Sequence, residues 1–196
     1  MLLIYILEIN NLFKGRETII LMVPCIEIPL FYAGRDIRFS SSEGITPSVL
    51  SDIADLNKDV FGGSRTIEQI SQRLTSYGHP HFTIARYLGQ ERADVTRRNG
   101  LVAYGMGHEE HGKYYLWMLG VTPGFRSEGV GSEILNEQIG WAREEGYKTF
   151  FLKTSNKWRD MLRLVLSPRF EFDITGFKAN EWGTDSAIWL EKKLKD

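Results

Sequence analysis

Two periods of apolar residues divide the chain. Asp36 to Ser40 alternates apolar and polar side chains, as a half-buried strand does. Thr46-Pro47 then supplies an N-cap and a proline suited to a first helical position. Val49, Leu50, Ile53, Leu56, Val60 and Phe61 follow at helical spacing, and Gly62-Gly63 ends the run. Thr66 to Gln69 has the form of a capping box, opening a helix with Ile67, Ile70, Leu74 and Tyr77 on its apolar face. His81 to Tyr87 reads as a strand, and Gln90 to Gly100 as a charged turn region. Leu101 to Glu110 and Lys113 to Val121 predict a hairpin closed at His111-Gly112.

A helix is predicted from about Gly129 to Glu145, with Ile134, Leu135, Gln138, Ile139 and Ala142 on one face. Thr149 to Lys153 reads as a strand, Lys157 to Leu166 as a helix, and Glu171 to Phe177 and Ala187 to Leu194 as closing strands. The order β-α-α-β-β-β-α-β-α-β-β predicts an α/β (α+β) protein, with a mixed sheet and helices on its faces.

Residues 1–34 stand apart as an extension, with strand-like runs at Ile19 to Val23 and Ile26 to Tyr32 broken by Pro24 and Pro29. Their apolar surface must be covered by the domain or by a partner chain, so a homodimer is one expectation. Residues 35–196 read as a single domain, since 196 residues suit one α/β unit better than two.

Composition narrows the function classes. Hydrophobic residues make up 42% and charged residues 25%, as in soluble globular proteins. A net charge of −1 gives no overall attraction to nucleic acid or to an anionic membrane, so neither is an expected partner. The run Leu2 to Leu7 falls far short of the ~20 residues of a membrane span and lacks the flanks of a signal peptide. The expected location is cytoplasmic. The single cysteine, Cys25, allows neither an intrachain disulfide nor a cysteine-rich zinc module. It is read as an inert thiol, and no metal is expected.

The chemistry concentrates in Val121-Thr-Pro-Gly-Phe-Arg126-Ser-Glu-Gly129-Val-Gly131-Ser132, between a strand and a helix. Glycines there let the backbone approach an anion, and the free N–H groups and dipole of the helix start favour a phosphate. Arg126 adds a cation at the lip. A P-loop would need Gly-Lys-Ser/Thr where this chain has Gly-Val-Gly-Ser. A dinucleotide fingerprint would need its glycines in another phase, after the first strand of a βαβ unit.

The pattern Arg/Gln-x-x-Gly-x-Gly/Ala, here Arg126 to Gly131, resembles that of the GNAT superfamily of acetyl-CoA-dependent N-acetyltransferases. The element order from Leu101 to Lys193 is similar to that family throughout. The resemblance implies a mostly antiparallel mixed sheet with splayed central strands, acetyl-CoA as co-substrate and an amine acceptor. It implies that the backbone of Leu119 and Val121 holds the pantetheine and thioester. Arg126, Ser127, Glu128, Gly129, Val130, Gly131 and Ser132 would surround the pyrophosphate. Asn156 matches a family asparagine that contacts the cofactor, and it could equally be a helix N-cap. A backbone N–H near Leu119 would stabilise the oxyanion as the amine attacks the thioester directly.

The chain departs from the family in the helix after Asn156, where many members have a tyrosine that protonates the leaving thiolate. Val165 stands at that position, Arg169 replaces the usual glycine, and Ser167-Pro168 distorts the helix end. For the base, Glu109, Glu110 and His111 lie at the hairpin tip, over ~20 Å from Leu119 at about 3.3 Å per residue. They are read as a solvated turn. With His111-Gly112 as the loop, His108 would pair with Tyr115 and Tyr104 with Leu119, all on one face. His108 acting through water, with Tyr115 beside it, is the expected base, and Trp117 is pocket wall or core. A non-catalytic acetyl-CoA-binding module and a transferase of longer acyl groups are the alternatives.

Overall fold

In the computed structural model the described residues are 26–28, 37–63, 65–89, 98–180 and 185–194. Cys25, Trp182, the run Ile19 to Val23, most of Ile26 to Tyr32 and most of Gln90 to Gly100 lie outside them.

The strands are β1 (Ile26–Ile28), β2 (Ile37–Ser42), β3 (His81–Tyr87), β4 (Leu101–Glu110), β5 (Lys113–Val121), β6 (Thr149–Ser155), β7 (Asp173–Lys178) and β8 (Ala187–Lys193). They form one sheet in the order β1-β2-β3-β4-β5-β6-β8-β7. Every neighbouring pair is antiparallel except β5 and β6. The helices are α1 (Pro47–Phe61), α2 (Ile67–Ser76), α3 (Val130–Glu144) and α4 (Arg159–Val165). This is the mixed sheet expected from the element order, with the mostly antiparallel pairing that the resemblance implied.

Local signals account for the helix boundaries. Thr46 Oγ1 accepts from the Val49 amide at 3.4 Å, and Gly62 closes α1 in the left-handed region at φ 68°. Thr66 and Gln69 form the reciprocal capping box of α2. That helix ends at Ser76, so Tyr77 is extended and lies beyond the helical face assigned to it. The predicted hairpin turn is present, with φ 54° at His111 and 73° at Gly112, the pairing of positive angles that matches strand twist.

The sheet is covered on both faces. On one, α1 and α2 bring Ile53, Leu56, Ile70 and Leu74 against Tyr104 and Met106. On the other, Leu135, Ile139 and Ala142 of α3 and Val165 of α4 pack on Leu116, Phe150 and Leu152. Full burial of each large apolar side chain contributes about 1.5–3 kcal/mol, so these faces carry much of the stability. Helix α3 sits close to β4 because Gly105 has no side chain. A Cβ there would lie 2.5 Å from Ile134 Cγ2.

One register differs from expectation. His108 pairs with Tyr115 as predicted, but Met106 pairs with Met118 and Gly107 with Leu116, leaving Trp117 as an extra residue in β5. Tyr104 therefore lies opposite Gly120, and Leu119 lies opposite Gly105. The bulge reverses the alternation. Tyr104 packs with the α1 and α2 residues, while Leu119 packs with the clusters that contain α3. The expected common face for His108, Tyr115, Tyr104 and Leu119 is thus corrected: Leu119 points the other way.

Candidate active site

Strand β5 pairs with β6 only from Tyr114 to Leu116, opposite Phe150 to Leu152. Beyond Leu116 the two strands part, while β6 remains paired with β8 as far as Ser155. The bulge at Trp117 begins where that pairing stops. An edge that turns away leaves its backbone groups without a strand partner, ready for an extended ligand.

A cavity of about 440 Å³ occupies this parting. Trp117, Met118 and Leu119 line it from β5, and Leu152, Lys153 and Thr154 from β6. Phe61 and Arg65 reach it from the α1–α2 junction, and Trp158 and Met161 from the segment around α4. The Trp158 ring meets Phe61 edge to face at 5.2 Å, so two elements distant in sequence form one wall. Sequence reasoning left Trp158 without a role. Its place follows from the end of α1 meeting the residue that precedes α4, which no local pattern encodes.

Beyond β5 the chain makes a short 3-10 turn at Pro123–Phe125, with Phe125 buried, and then enters α3. Ser127 and Gly129 both have positive φ, 61° and 83°. Glycine is at home there; Ser127 is the uncommon case. Among the described residues no side chain caps α3, in contrast to α1 and α2. Its first-turn amides therefore keep the character of an anion site. Arg126 Nε donates to the Val121 carbonyl at 3.1 Å, tying the loop back to β5. Gly131 packs on β5: a Cβ would lie 3.4 Å from Val121 and 3.8 Å from Leu119 side chains.

Asn156 is not the N-cap of α4, which begins at Arg159 after Trp158. Its Oδ1 accepts from the Ser186 amide at 3.0 Å, and its own amide donates to the Ser186 carbonyl at 3.2 Å. It braces the end of β6 beside the start of β8. Val165, at the position of the family tyrosine, is fully buried.

His108 and Tyr115 lie elsewhere. His108 is buried, with its Nδ1 3.0 Å from the Glu109 carbonyl and its ring stacked on Tyr77 at 4.2 Å. Burial holds its pKa below the usual histidine value. Tyr115 meets it edge to face at 5.4 Å, and neither side chain lines the cavity. At the hairpin tip, His111 and Gly112 are exposed, but Glu109 and Glu110 are half-buried. Glu110 pairs with Arg73 at 3.6 Å, and Tyr147 reaches Glu109 at 3.5 Å. The solvated turn is therefore narrower than expected.

A mixed sheet whose middle strands part beside a glycine-led, uncapped helix has the architecture of an acyl-CoA-dependent transferase. Residues 50–164, more than half of the chain, match the family model described as the acetyltransferase (GNAT) family, and the chain belongs to that family. Among solved structures it is similar to Ard1 from Thermoplasma volcanium, with a TM-score of 0.65 and 15% identity over 81% of this chain and 99% of that one. The ribosomal-protein-S18-alanine N-acetyltransferase from Escherichia coli matches with a TM-score of 0.61 and 12% identity over 79% and 93%. A GNAT family acetyltransferase from Elizabethkingia anophelis, with acetyl-CoA bound, matches with a TM-score of 0.58 and 19% identity over 81% and 98%. No curated protein matches the chain. Among the described residues, no helix is long and apolar enough to cross a membrane.

Proposed function

We propose that this acetyltransferase is an N-acetyltransferase that moves the acetyl group of acetyl-CoA to an amine bound in the same ternary complex. The observation that carries the reading is the parting of β5 from β6 beside the uncapped start of α3.

In this reading the amides from Ser127 to Ser132 hold the pyrophosphate, with Glu128 and Val130 contributing backbone only. Arg126 supplies the outer cation, and each charge-assisted hydrogen bond contributes about 1.5–3 kcal/mol. The backbone of Leu119 and Val121 holds the pantetheine as an added strand would be held. The Val121 carbonyl keeps a second lone pair beside its bond from Arg126. Asn156 acts by fixing the far wall and meets the cofactor through its exposed amide. Acetyl-CoA supplies the activated thioester. The Leu119 N–H stabilises the oxygen that becomes negative as the amine attacks.

The proton step follows from the lining. Among the described residues no histidine, aspartate or glutamate lines the cavity. The amine therefore enters in its neutral form, with Arg65 and Lys153 holding its pKa down. As its bond to the acetyl carbon forms and the C–S bond breaks, its proton passes to water and coenzyme A leaves as the thiolate, protonated from solvent. His108, with Tyr115 beside it, stays in the packed part of the sheet as support.

The same bare lining, together with Val165 in place of a tyrosine, favours a second reading as a non-catalytic acetyl-CoA binder. Thiol release and product mass across an amine panel separate the two. Intersecting initial-rate lines are expected; parallel lines would overturn the ternary complex. Tight acetyl-CoA binding with no acetylated amine would establish the second reading.

A further inference from the structure

We propose that the acceptor carries a carboxylate or phosphate on the same molecule as its reactive amine, and that Arg65 reads that anionic group. The inference rests on the acetyltransferase reading above and names the substrate class of that site.

The lining carries positive charge from both sides: Arg65 from the α1–α2 junction, Lys153 and Lys157 from the β6 side. Among the described residues no carboxylate joins them there. Lys157 is met by Asp185 at 2.7 Å, so its charge is largely balanced. Arg65 and Lys153 are placed differently. Arg65 Cζ lies 5.3 Å from the Trp117 ring centre, and Lys153 Nζ lies 5.1 Å from that of Trp189. Neither has a carboxylate within ion-pair distance among the described residues. A cation resting on an aromatic face is positioned without being neutralised, and its donors remain for a ligand.

The position of Arg65 matters as much as its charge. Trp117, the bulged residue that carries its guanidinium, lies two positions before Leu119, where the thioester is proposed to sit. An anion held by Arg65 would thus belong to a compact acceptor whose amine reaches the thioester. A guanidinium offers two parallel donors that match a carboxylate or a phosphate. A polyamine would bring further positive charge against Arg65 and Lys153 and meet no carboxylate in the lining. The same cations favour the neutral form of an incoming amine, which a site without a lining base requires.

The test uses the full chain saturated with coenzyme A, titrated calorimetrically with matched amines. Amino acids are set against their carboxamides, aminoalkyl phosphates against the corresponding amino alcohols, and spermidine is the polycation. The anionic member of at least one pair is expected to bind about tenfold or more tightly than its neutral twin. The pair that discriminates separates carboxylate from phosphate. Arg65→Gln should erase the difference and leave acetyl-CoA affinity unchanged, and with acetyl-CoA the same preference should appear in kcat/KM. Tighter binding of the neutral twins or of spermidine, no discrimination in any pair, or a preference that survives Arg65→Gln would overturn the proposal. Anion preference without acetylation would sink the transferase reading while leaving Arg65 assigned. Failure of coenzyme A to bind would remove the reading on which both rest.

Discussion

The two ends of the β4–β5 hairpin are built on opposite principles. Toward its loop, β5 is paired on both sides from Tyr114 to Leu116, and Tyr114 is fully buried. The Tyr114 hydroxyl donates to Gln138 Oε1 at 2.6 Å, and Gln138 Nε2 donates to Thr83 Oγ1 at 2.9 Å. His81 stacks on Trp141 at 4.1 Å, and His108 on Tyr77. Away from the loop, past the bulge at Trp117, β5 loses β6 and presents backbone rather than side-chain chemistry to a cavity. The enclosed end has His108 and Tyr115, the pair that the sequence suggested as base and neighbour. The open end has the access. Titratable residues are useful to a reaction only where a substrate can reach them, and burial here has traded their reactivity for order.

The largest expected effect breaks the open end. Gly131→Asp places a carboxylate beside the proposed pyrophosphate site and a Cβ against Val121 and Leu119. Acetyl-CoA affinity by calorimetry should fall about 100-fold or more, the loss of one or two charge-assisted bonds plus repulsion. Unchanged affinity in the folded variant would remove the cofactor loop from the site.

Tyr114→Phe tests the enclosed end. It leaves Gln138 Oε1 buried without its donor, which should cost about 1–3 kcal/mol by urea denaturation. Acetyl-CoA affinity should not change. A loss of affinity with unchanged stability would reverse the contrast between the two ends.

The third expectation is a pH dependence of stability. Burial lowers the His81 pKa from 6.5 to about 3. Below pH 6.5 the unfolded chain takes up a proton that the folded chain refuses, so stability falls as pH drops through that window. The slope from His81 is about 1.4 kcal/mol per pH unit while the folded ring stays neutral, and His108 adds the same sign. Among the described residues neither ring nitrogen of His81 has a hydrogen-bond partner, so His81→Phe should keep the stack on Trp141 and flatten the slope. A slope unchanged by that substitution would mean that His81 is not the source.

The smallest effect is the most informative about mechanism. His108→Gln should change kcat/KM by less than about threefold, because the ring lies in the packed sheet and off the cavity lining. A loss of about 100-fold, with a missing limb in the pH–rate profile, would restore His108 as the general base.

Much of this was legible from local chemistry. Thr46, Thr66 and Gln69 announced their helix starts because capping depends on residues within one turn. The buried face of α3 followed from helical spacing, down to the polar Gln138. The loop from Arg126 to Ser132 stood out because its glycines interrupt a strand-to-helix junction. Gly129 indeed needs its positive φ.

What the tertiary structure alone decided begins with one residue. The extra Trp117 in β5 moved Leu119 to the opposite face from Tyr104 and marks where the splay that the resemblance implied begins. A bulge leaves almost no trace in a run of apolar residues, since Tyr115, Leu116, Trp117, Met118 and Leu119 all suit a strand in either register. The Phe61–Trp158 wall, the Arg65–Trp117 contact and the burial of His108 depend on which surfaces of α1, α2 and α4 meet the sheet. Periodicity along a chain determines which face of an element turns inward. Only packing determines what that face then meets, and with it which polar residues keep a path to a substrate.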